Sequence, residues 1–222
     1  MMISPEEYYK EKLEGKNAAQ LLKVIRGLKN EMGHLKRLME DPNCFKETVT
    51  SPDESVRLAC TRLYLQRAKE ALAETGWVYT PSQAELRSME FEENIPAICK
   101  MSLSLGDYET RTFILTKEGL QLQTAATPFA QATNSSVTLA CPYTKWELLA
   151  DLRELKLGEW RRSYRLSRFG LMVMDGTRWE LEIRFANGHR PFRACGYNAY
   201  PYNFDKLVEL FGMEEDEYGE DC

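Results

Sequence analysis

An α+β fold is predicted: an N-terminal antiparallel helical hairpin followed by a mainly antiparallel β-sheet with two packing helices. Three observations carry this. Apolar residues recur at spacings of three and four through the first third of the chain, the period of one helix face. Beyond about residue 95 the period falls to two, as in half-buried strands. Asp175-Gly176 and Asn187-Gly188, dipeptides favoured by two-residue hairpins, bracket the alternating run Trp179-Glu180-Leu181-Glu182-Ile183-Arg184-Phe185.

The elements follow in order. Ser4-Pro5-Glu6-Glu7 supplies an N-cap, a proline at the first helical position and a capping-box glutamate, so a short helix is expected to run to Gly15. Asn17 caps a second helix that stops before Pro42, because the residue before a proline avoids helical geometry. Its Leu21, Ile25, Leu28, Met32, Leu35 and Met39 form a packing seam. Ser51-Pro52-Asp53-Glu54 repeats the start signal, and Leu58, Thr61, Leu65, Ala68 and Leu72 keep the helical spacing as far as Gly76. Each apolar stripe needs a partner, so the two helices are expected to pair across the 41–50 loop.

Residues 1–78 therefore form a helical domain, and 79–94 is a polar linker or connecting helix. Residues 95–212 form the sheet domain. Ile98 to Leu105, Thr110 to Thr116 and Leu120 to Thr124 are predicted strands, turning at Gly106-Asp107 and Lys117-Glu118-Gly119, with Val137 to Cys141 a candidate fourth. The capping box Thr144-Lys145-Trp146-Glu147 opens a helix that ends near Gly158. A two-residue loop at Asn187-Gly188 sets Ile183 opposite Phe192 on the buried face and Glu182 opposite Arg193 on the wet one. Pro191 cannot donate to a ladder, so its strand is expected at an edge or with that position exposed. Asn203 caps a last helix whose Leu207, Leu210 and Phe211 close over the sheet.

The charge is unevenly spread. Residues 1–78 hold 13 Lys+Arg against 12 Asp+Glu, residues 79–212 hold 16 against 16, and residues 213–222 hold none against 6. The net charge of −5 is thus carried by a terminal block that repels itself and is expected to be a disordered, solubilising tail. A chain of 222 residues with 43% hydrophobic content builds a core without staples. The six cysteines are scattered, with no C-x-x-C pair to gather zinc, and no cofactor is indicated. With no signal peptide and no long apolar run, a reducing cytoplasm is the expected compartment.

Two segments point to an anionic partner. In the second helix Lys16, Lys23, Arg26, Lys29, Lys36 and Arg37 are expected opposite the apolar seam, with Glu31 and Glu40 the only acids nearby. Cations spread along ~36 Å of helix can follow a phosphate backbone. Gly27 and Gly33 interrupt the same helix, either at a tight crossing or where a partner's backbone comes close. The second segment, Trp160 to Phe169, carries Arg161, Arg162, Arg165 and Arg168 with interleaved aromatics and no acid. Guanidinium forks suit phosphate, and aromatic rings suit bases. The competing account puts Trp160, Tyr164 and Phe169 in the core and pairs the arginines with Glu180, Glu182 or the tail.

Enzyme chemistry is poorly supplied. His34 and His189 are the only histidines, Cys195 has no positioned base, and neither G-x-x-x-x-G-K-[ST] nor G-x-G-x-x-G occurs. The tyrosines of Tyr197-Asn198-Ala199-Tyr200-Pro201-Tyr202 serve either an interface or a loop packed under the last helix.

The strings Ile25-Arg26-Gly27-Leu28-Lys29-Asn30-Glu31-Met32-Gly33-His34-Leu35-Lys36 and Asp175-Gly176-Thr177-Arg178-Trp179, the latter continuing through Asn198-Ala199-Tyr200-Pro201-Tyr202-Asn203-Phe204, resemble a family of small cytoplasmic proteins of gut Gram-positive bacteria. That family is often encoded beside mobile-element genes and brings no catalytic motif to carry over. In overall pattern the chain also resembles a clade that includes a metagenomic anti-CRISPR inhibitor of Cas9. The resemblance implies a non-enzymatic protein that engages nucleic acid, or a nucleoprotein such as a Cas9–guide RNA complex. The alternative is a protein adaptor that uses its helical hairpin without touching nucleic acid.

Overall fold

The computed structural model describes residues 3–44, 52–106, 109–126, 137–172 and 175–213. Among them are six α-helices and one seven-stranded, mostly antiparallel sheet, so the fold is α+β. Asp107, the 45–51 part of the first long connection and the acidic block 214–222 lie outside the described residues. The chain divides into two compact units, Met1–Pro81 and Ser82–Cys222.

In the first unit, α1 (Pro5–Tyr8) carries the expected Ser4–Glu7 capping box but continues as one π-helical turn, Tyr9–Leu13. Asn17 and Gln20 form a reciprocal cap on α2 (Ala18–Glu40). Helix α3 (Glu54–Glu74) starts after Asp53, whose carboxylate accepts from Ser55 Oγ at 2.6 Å and makes no cap bond to the helix. It stops at Gly76, which takes the left-handed conformation (φ +80°) that a C-terminal glycine allows. Leu13, Leu21, Ile25, Leu65, Ala68, Ala71 and Leu72 share one core, and Arg57 in early α3 reaches Glu31 in α2 at 3.2 Å.

The second unit begins with α4 (Gln83–Asn94), opened by a Ser82–Glu85 capping box. The polar composition here predicts a linker or connecting helix. The segment is a helix, and it packs with the sheet unit, since Phe91 lies on Phe185 and Phe192 in the core. The strands are β1 (Ile98–Leu105), β2 (Glu109–Leu115), β3 (Leu120–Ala126), β4 (Val137–Leu139), β5 (Ser163–Arg165), β6 (Arg178–Phe185) and β7 (Phe192–Tyr197), in the order β4-β3-β2-β1-β6-β7-β5. Every pairing is antiparallel except β5 with β7.

One sheet face is dry. Met101, Leu103, Phe113, Leu115, Leu122, Trp179, Leu181, Ile183 and Ala194 form one core with α4, α5 (Lys145–Leu155) and α6 (Phe204–Leu210). The alternate residues Lys100, Ser102, Ser104, Thr110, Thr112, Glu180, Glu182, Arg184, Arg193, Cys195 and Tyr197 point to the other face and take no part in that core. Helices therefore cover one side of this sheet, and the other presents hydroxyls and charges.

Several local expectations need correction. The register across Asn187-Gly188 is as expected, with Ile183 opposite Phe192 and Glu182 opposite Arg193. Asp175-Gly176, by contrast, closes no hairpin among the described residues, and both edges of β6 are taken by β1 and β7. Asn198 holds it, accepting from Thr177 N at 2.7 Å and donating to the Asp175 carbonyl at 3.0 Å. Strand β7 is not an edge, and Pro191 stands exposed one residue before its ladder. Asn203 does not cap α6 with its side chain. It accepts from Trp160 Nε1 at 3.0 Å and donates to the Leu155 carbonyl at 2.7 Å, tying the end of α5 to the tryptophan.

Candidate functional site

Helix α2 sorts its cations by angle. At about 100° per residue, Lys23, Arg26 and Arg37 fall some 140–200° from the centre of the apolar stripe, whereas Lys29 and Lys36 fall within about 80° of it. The structure agrees: Lys23, Arg26 and Arg37 are exposed, and Lys29 and Lys36 are half-buried. Lys29 Nζ donates to Tyr79 Oη at 3.1 Å and, with Lys69 at 4.4 Å from the ring centroid, brackets the Tyr79 ring. No hydrogen bond or ion pair engages Lys23, Arg26 or Arg37 among the described residues. Glu31, the acid nearest Lys23 and Arg26 in sequence, is taken by Arg57.

The glycines of α2 do not mark a helix crossing. Nothing lies within 4 Å of a methyl group placed on Gly27 or Gly33, and both are exposed. They leave smooth backbone beside the three open cations, at a cost of up to about 1 kcal/mol each in helix propensity.

The arginine segment folds in a way that its short span conceals. Trp160 and Tyr164 are buried, and Trp160 packs edge-on to Trp179. These two aromatics belong to the core, as in the competing account, whereas Phe169 is half-buried and takes no part in it. Glu180 and Glu182 do not take Arg161, Arg162 or Arg165, and the tail of that account lies outside the described residues. Ser163, Tyr164 and Arg165 form β5, opposite Cys195, Gly196 and Tyr197 of β7, so Tyr164 points into the core and Arg165 to the open face. Arg161 and Arg162 are exposed in the approach to the strand. Their guanidinium groups and that of Arg165 bind no carboxylate among the described residues. Arg168 differs: it is half-buried on the 3₁₀ turn Leu166–Phe169 and lies 5.3 Å from the Phe169 ring centroid.

Glu182 is committed to other arginines, and Glu180 stands beside one more loosely. Glu180 sits 3.6 Å from Arg178. Glu182 accepts from Arg193 Nη2 at 2.6 Å and from Arg184 Nε at 3.0 Å, with its side chain only 19% exposed. The Arg193 hydrogen bond, with help from Arg184, holds the Glu182 carboxyl below its ordinary value of 4.5, against a desolvation that pushes it up. The folded state therefore binds this proton more weakly than the unfolded chain. Its stabilisation is complete above the unfolded value and disappears as pH falls through the folded one. Urea midpoints of the wild type and Glu182→Gln should differ most at neutral pH, and the gap should close only below pH 4.5. A gap that widens in acid would contradict this.

The basic residues belong to different units: Lys23, Arg26, Lys29, Lys36 and Arg37 to the first, Arg161, Arg162, Arg165 and Arg168 to the second. Sequence reasoning missed Lys100, Arg178, Arg184 and Arg193, which join Arg165 on the open sheet face. The alternation of residues 178–185, carried across the Asn187-Gly188 turn, is the signal that could have found the three arginines. Among the tyrosines, Tyr200 packs on Phe204 at 4.9 Å and Tyr202 reaches Glu159 at 3.3 Å, while Tyr197 ends β7 on the open face.

Among the described residues no group of three or more His, Cys, Asp or Glu side chains is placed to hold a metal ion, and no helix is long and apolar enough to cross a membrane. Cys44, Cys60, Cys99, Cys141 and Cys195 are free thiols. Comparison with protein-family models, with curated proteins and with solved structures finds no match for this chain.

Proposed function

We propose that this chain is a non-enzymatic binding protein that engages nucleic acid or a nucleoprotein through exposed cations. One observation carries the reading: Lys23, Arg26 and Arg37 stand on the open side of α2 with no carboxylate on any of them among the described residues. A cation paired within its own protein has little to gain from a phosphate. Three unpaired ones beside bare glycine backbone present charge and close approach together. Arg161, Arg162 and Arg165 add a second set in the sheet unit.

Phosphate binding has a signature in salt. Filter binding to a duplex DNA over a salt series should give log K falling linearly with log salt. Joint replacement Lys23→Glu, Arg26→Glu and Arg37→Glu should flatten the slope by about 3, near one unit for each phosphate no longer neutralised. Binding that ignores both salt and these reversals excludes the reading and favours the adaptor.

The resemblance to the anti-CRISPR clade narrows the partner to a Cas9-type nuclease with its guide RNA. Inhibition needs occupancy only, since a competitor for the effector or its DNA site requires affinity and no chemistry. In a cleavage assay with purified Cas9 and guide RNA, molar excess of the protein should stop cutting. Undiminished cutting removes that partner and leaves the wider reading to the salt series.

A further inference from the structure

On the strength of that nucleic-acid reading, we propose that Tyr197, flanked by Arg165 and Arg178, forms a site for single-stranded RNA on the open face of the sheet. The three residues stand in one row across three neighbouring strands. Tyr197 of β7 lies opposite Arg178 of β6 and opposite Arg165 of β5. Neighbouring strands run about 4.8 Å apart, so an arginine stands in register on either side of the tyrosine. All three side chains are exposed, Tyr197 at 39% and the Arg178 side chain at 70%.

The ring is open to a ligand. Tyr197 makes no aromatic, cation or hydrogen-bond contact among the described residues, although the neighbouring rings of Tyr164, Trp179, Tyr200 and Phe204 all pair. Among the described residues the α-helices of this unit pack on the opposite face, so none of them covers the ring. Among the described residues Arg165 has no partner, and Arg178 has only the loose 3.6 Å contact with Glu180.

Charge complementarity selects the occupant. On β1, β6, β7 and β5 the open face carries Lys100, Arg165, Arg178, Arg184 and Arg193 against Glu180 and Glu182, and Glu182 is already bound by two arginines. The face is therefore cationic within an acidic protein. An aromatic ring between two arginines matches an unpaired base between two phosphates. A duplex keeps its bases stacked on each other and would offer this row phosphates alone, leaving the tyrosine unused. Ribose is favoured over deoxyribose by the next row, where Glu180, Cys195 and Ser163 stand in register. A carboxylate there repels phosphate but accepts a hydrogen bond from a 2′-hydroxyl.

The test uses the full chain and fluorescein-labelled U15, with unlabelled dT15 as competitor. U15 should bind, and dT15 should displace it less well than unlabelled U15. Tyr197→Ala should weaken U15 binding about 5- to 100-fold, the range for one base–aromatic stack, while Tyr197→Phe keeps it. Arg165→Ala with Arg178→Ala should reduce the salt slope for U15 by about 1.4, near 0.7 for each single-strand phosphate no longer neutralised. Duplex binding through α2 should be unaffected by Tyr197→Ala. Absence of U15 binding, or equal binding by wild type and Tyr197→Ala, overturns the sheet-face site even where duplex binding stays salt-sensitive. Displacement by dT15 as good as by U15 overturns the assignment to RNA. Loss of salt sensitivity in every nucleic acid tested is the failure of the wider reading instead.

Discussion

Replacing Gly196 with alanine is expected to cost the sheet unit about 3 kcal/mol or more, among the largest effects of any single methyl group in the chain. Gly196 lies on the core face of β7, opposite Trp179 in β6 and opposite Tyr164 in β5. The absent side chain is the space that the Trp179 indole fills. A methyl group at this position would stand 2.3 Å from Trp179 Nε1 and 2.4 Å from the Ala199 carbonyl oxygen. Those two atoms are partners, joined by a 2.9 Å hydrogen bond in the dry interior. The methyl group must therefore push the indole aside or part the bond, and a buried N–H left unmade costs about 1–3 kcal/mol in itself. Displacement has no soft outlet. Trp179 is fully buried and packs on Trp160, Tyr164 and Phe204, with the Phe204 centroid at 4.7 Å. Urea titration followed by tryptophan fluorescence measures the loss. Gly27→Ala is the matched control, since nothing lies within 4 Å of its added methyl group and helix propensity predicts a gain of up to about 1 kcal/mol. A Gly196→Ala midpoint within error of wild type would mean that the indole does not sit where the ladder puts it.

The glycine also shows what local sequence can and cannot convey. Helix starts are legible wherever a side chain caps its own backbone, as at Ser4, Asn17 and Thr144, because a capping box spans four residues. The Ser82–Glu85 box has the same form, but the polar run behind it masks α4, whose one buried side chain, Phe91, gives no periodic stripe. Strand pairing around Asn187-Gly188 is legible because a short loop and alternating polarity fix the register together. Long-range partners are not. Three residues are too few to show alternation, so β5 is invisible until β7 is in place, and with it the sorting of Tyr164 inward and Arg165 outward. Asn203 and Asn198 look like a helix cap and a loop residue, yet each holds a segment more than 20 positions away. In the candidate site the three open cations of α2 are readable from angle alone. Lys29 is taken by Tyr79, 50 positions on, which no helical wheel contains. The Arg165–Tyr197–Arg178 row depends on three strands meeting and is unreadable for the same reason.

Arg111→Met should lower stability by about 2–3 kcal/mol and loosen the last helix before anything else. Arg111 is the one arginine that the β2 alternation places on the core face, in line with Phe113 and Leu115. Its guanidinium turns to the end of α6, where Nη1 donates to the Phe211 carbonyl at 3.0 Å and to the Gly212 carbonyl, while Nε donates to Glu109 at 2.6 Å. The helix end uses its own backbone first. Gly212, at φ +64°, donates to the Glu209 carbonyl, and Met213 N donates to the Val208 carbonyl, a Schellman arrangement with Met213 buried beside it. The carbonyls of Phe211 and Gly212 remain, and among the described residues Arg111 is the side chain placed to satisfy both. Methionine preserves the apolar stem but leaves two carbonyls and a carboxylate without their donor, so the loss falls on polar groups rather than on packing. Arg111→Lys should recover part of the stability, because an ammonium lacks the planar fork that reaches carbonyls and carboxylate together. Hydrogen exchange should show the amides of Leu207 to Phe211 opening early in Arg111→Met, while those of β1 and β6 at the sheet centre keep their protection. Uniform loss across the sheet would mean that Arg111 supports the whole unit instead of latching α6 over Phe113, on whose ring Phe211 packs at 4.9 Å.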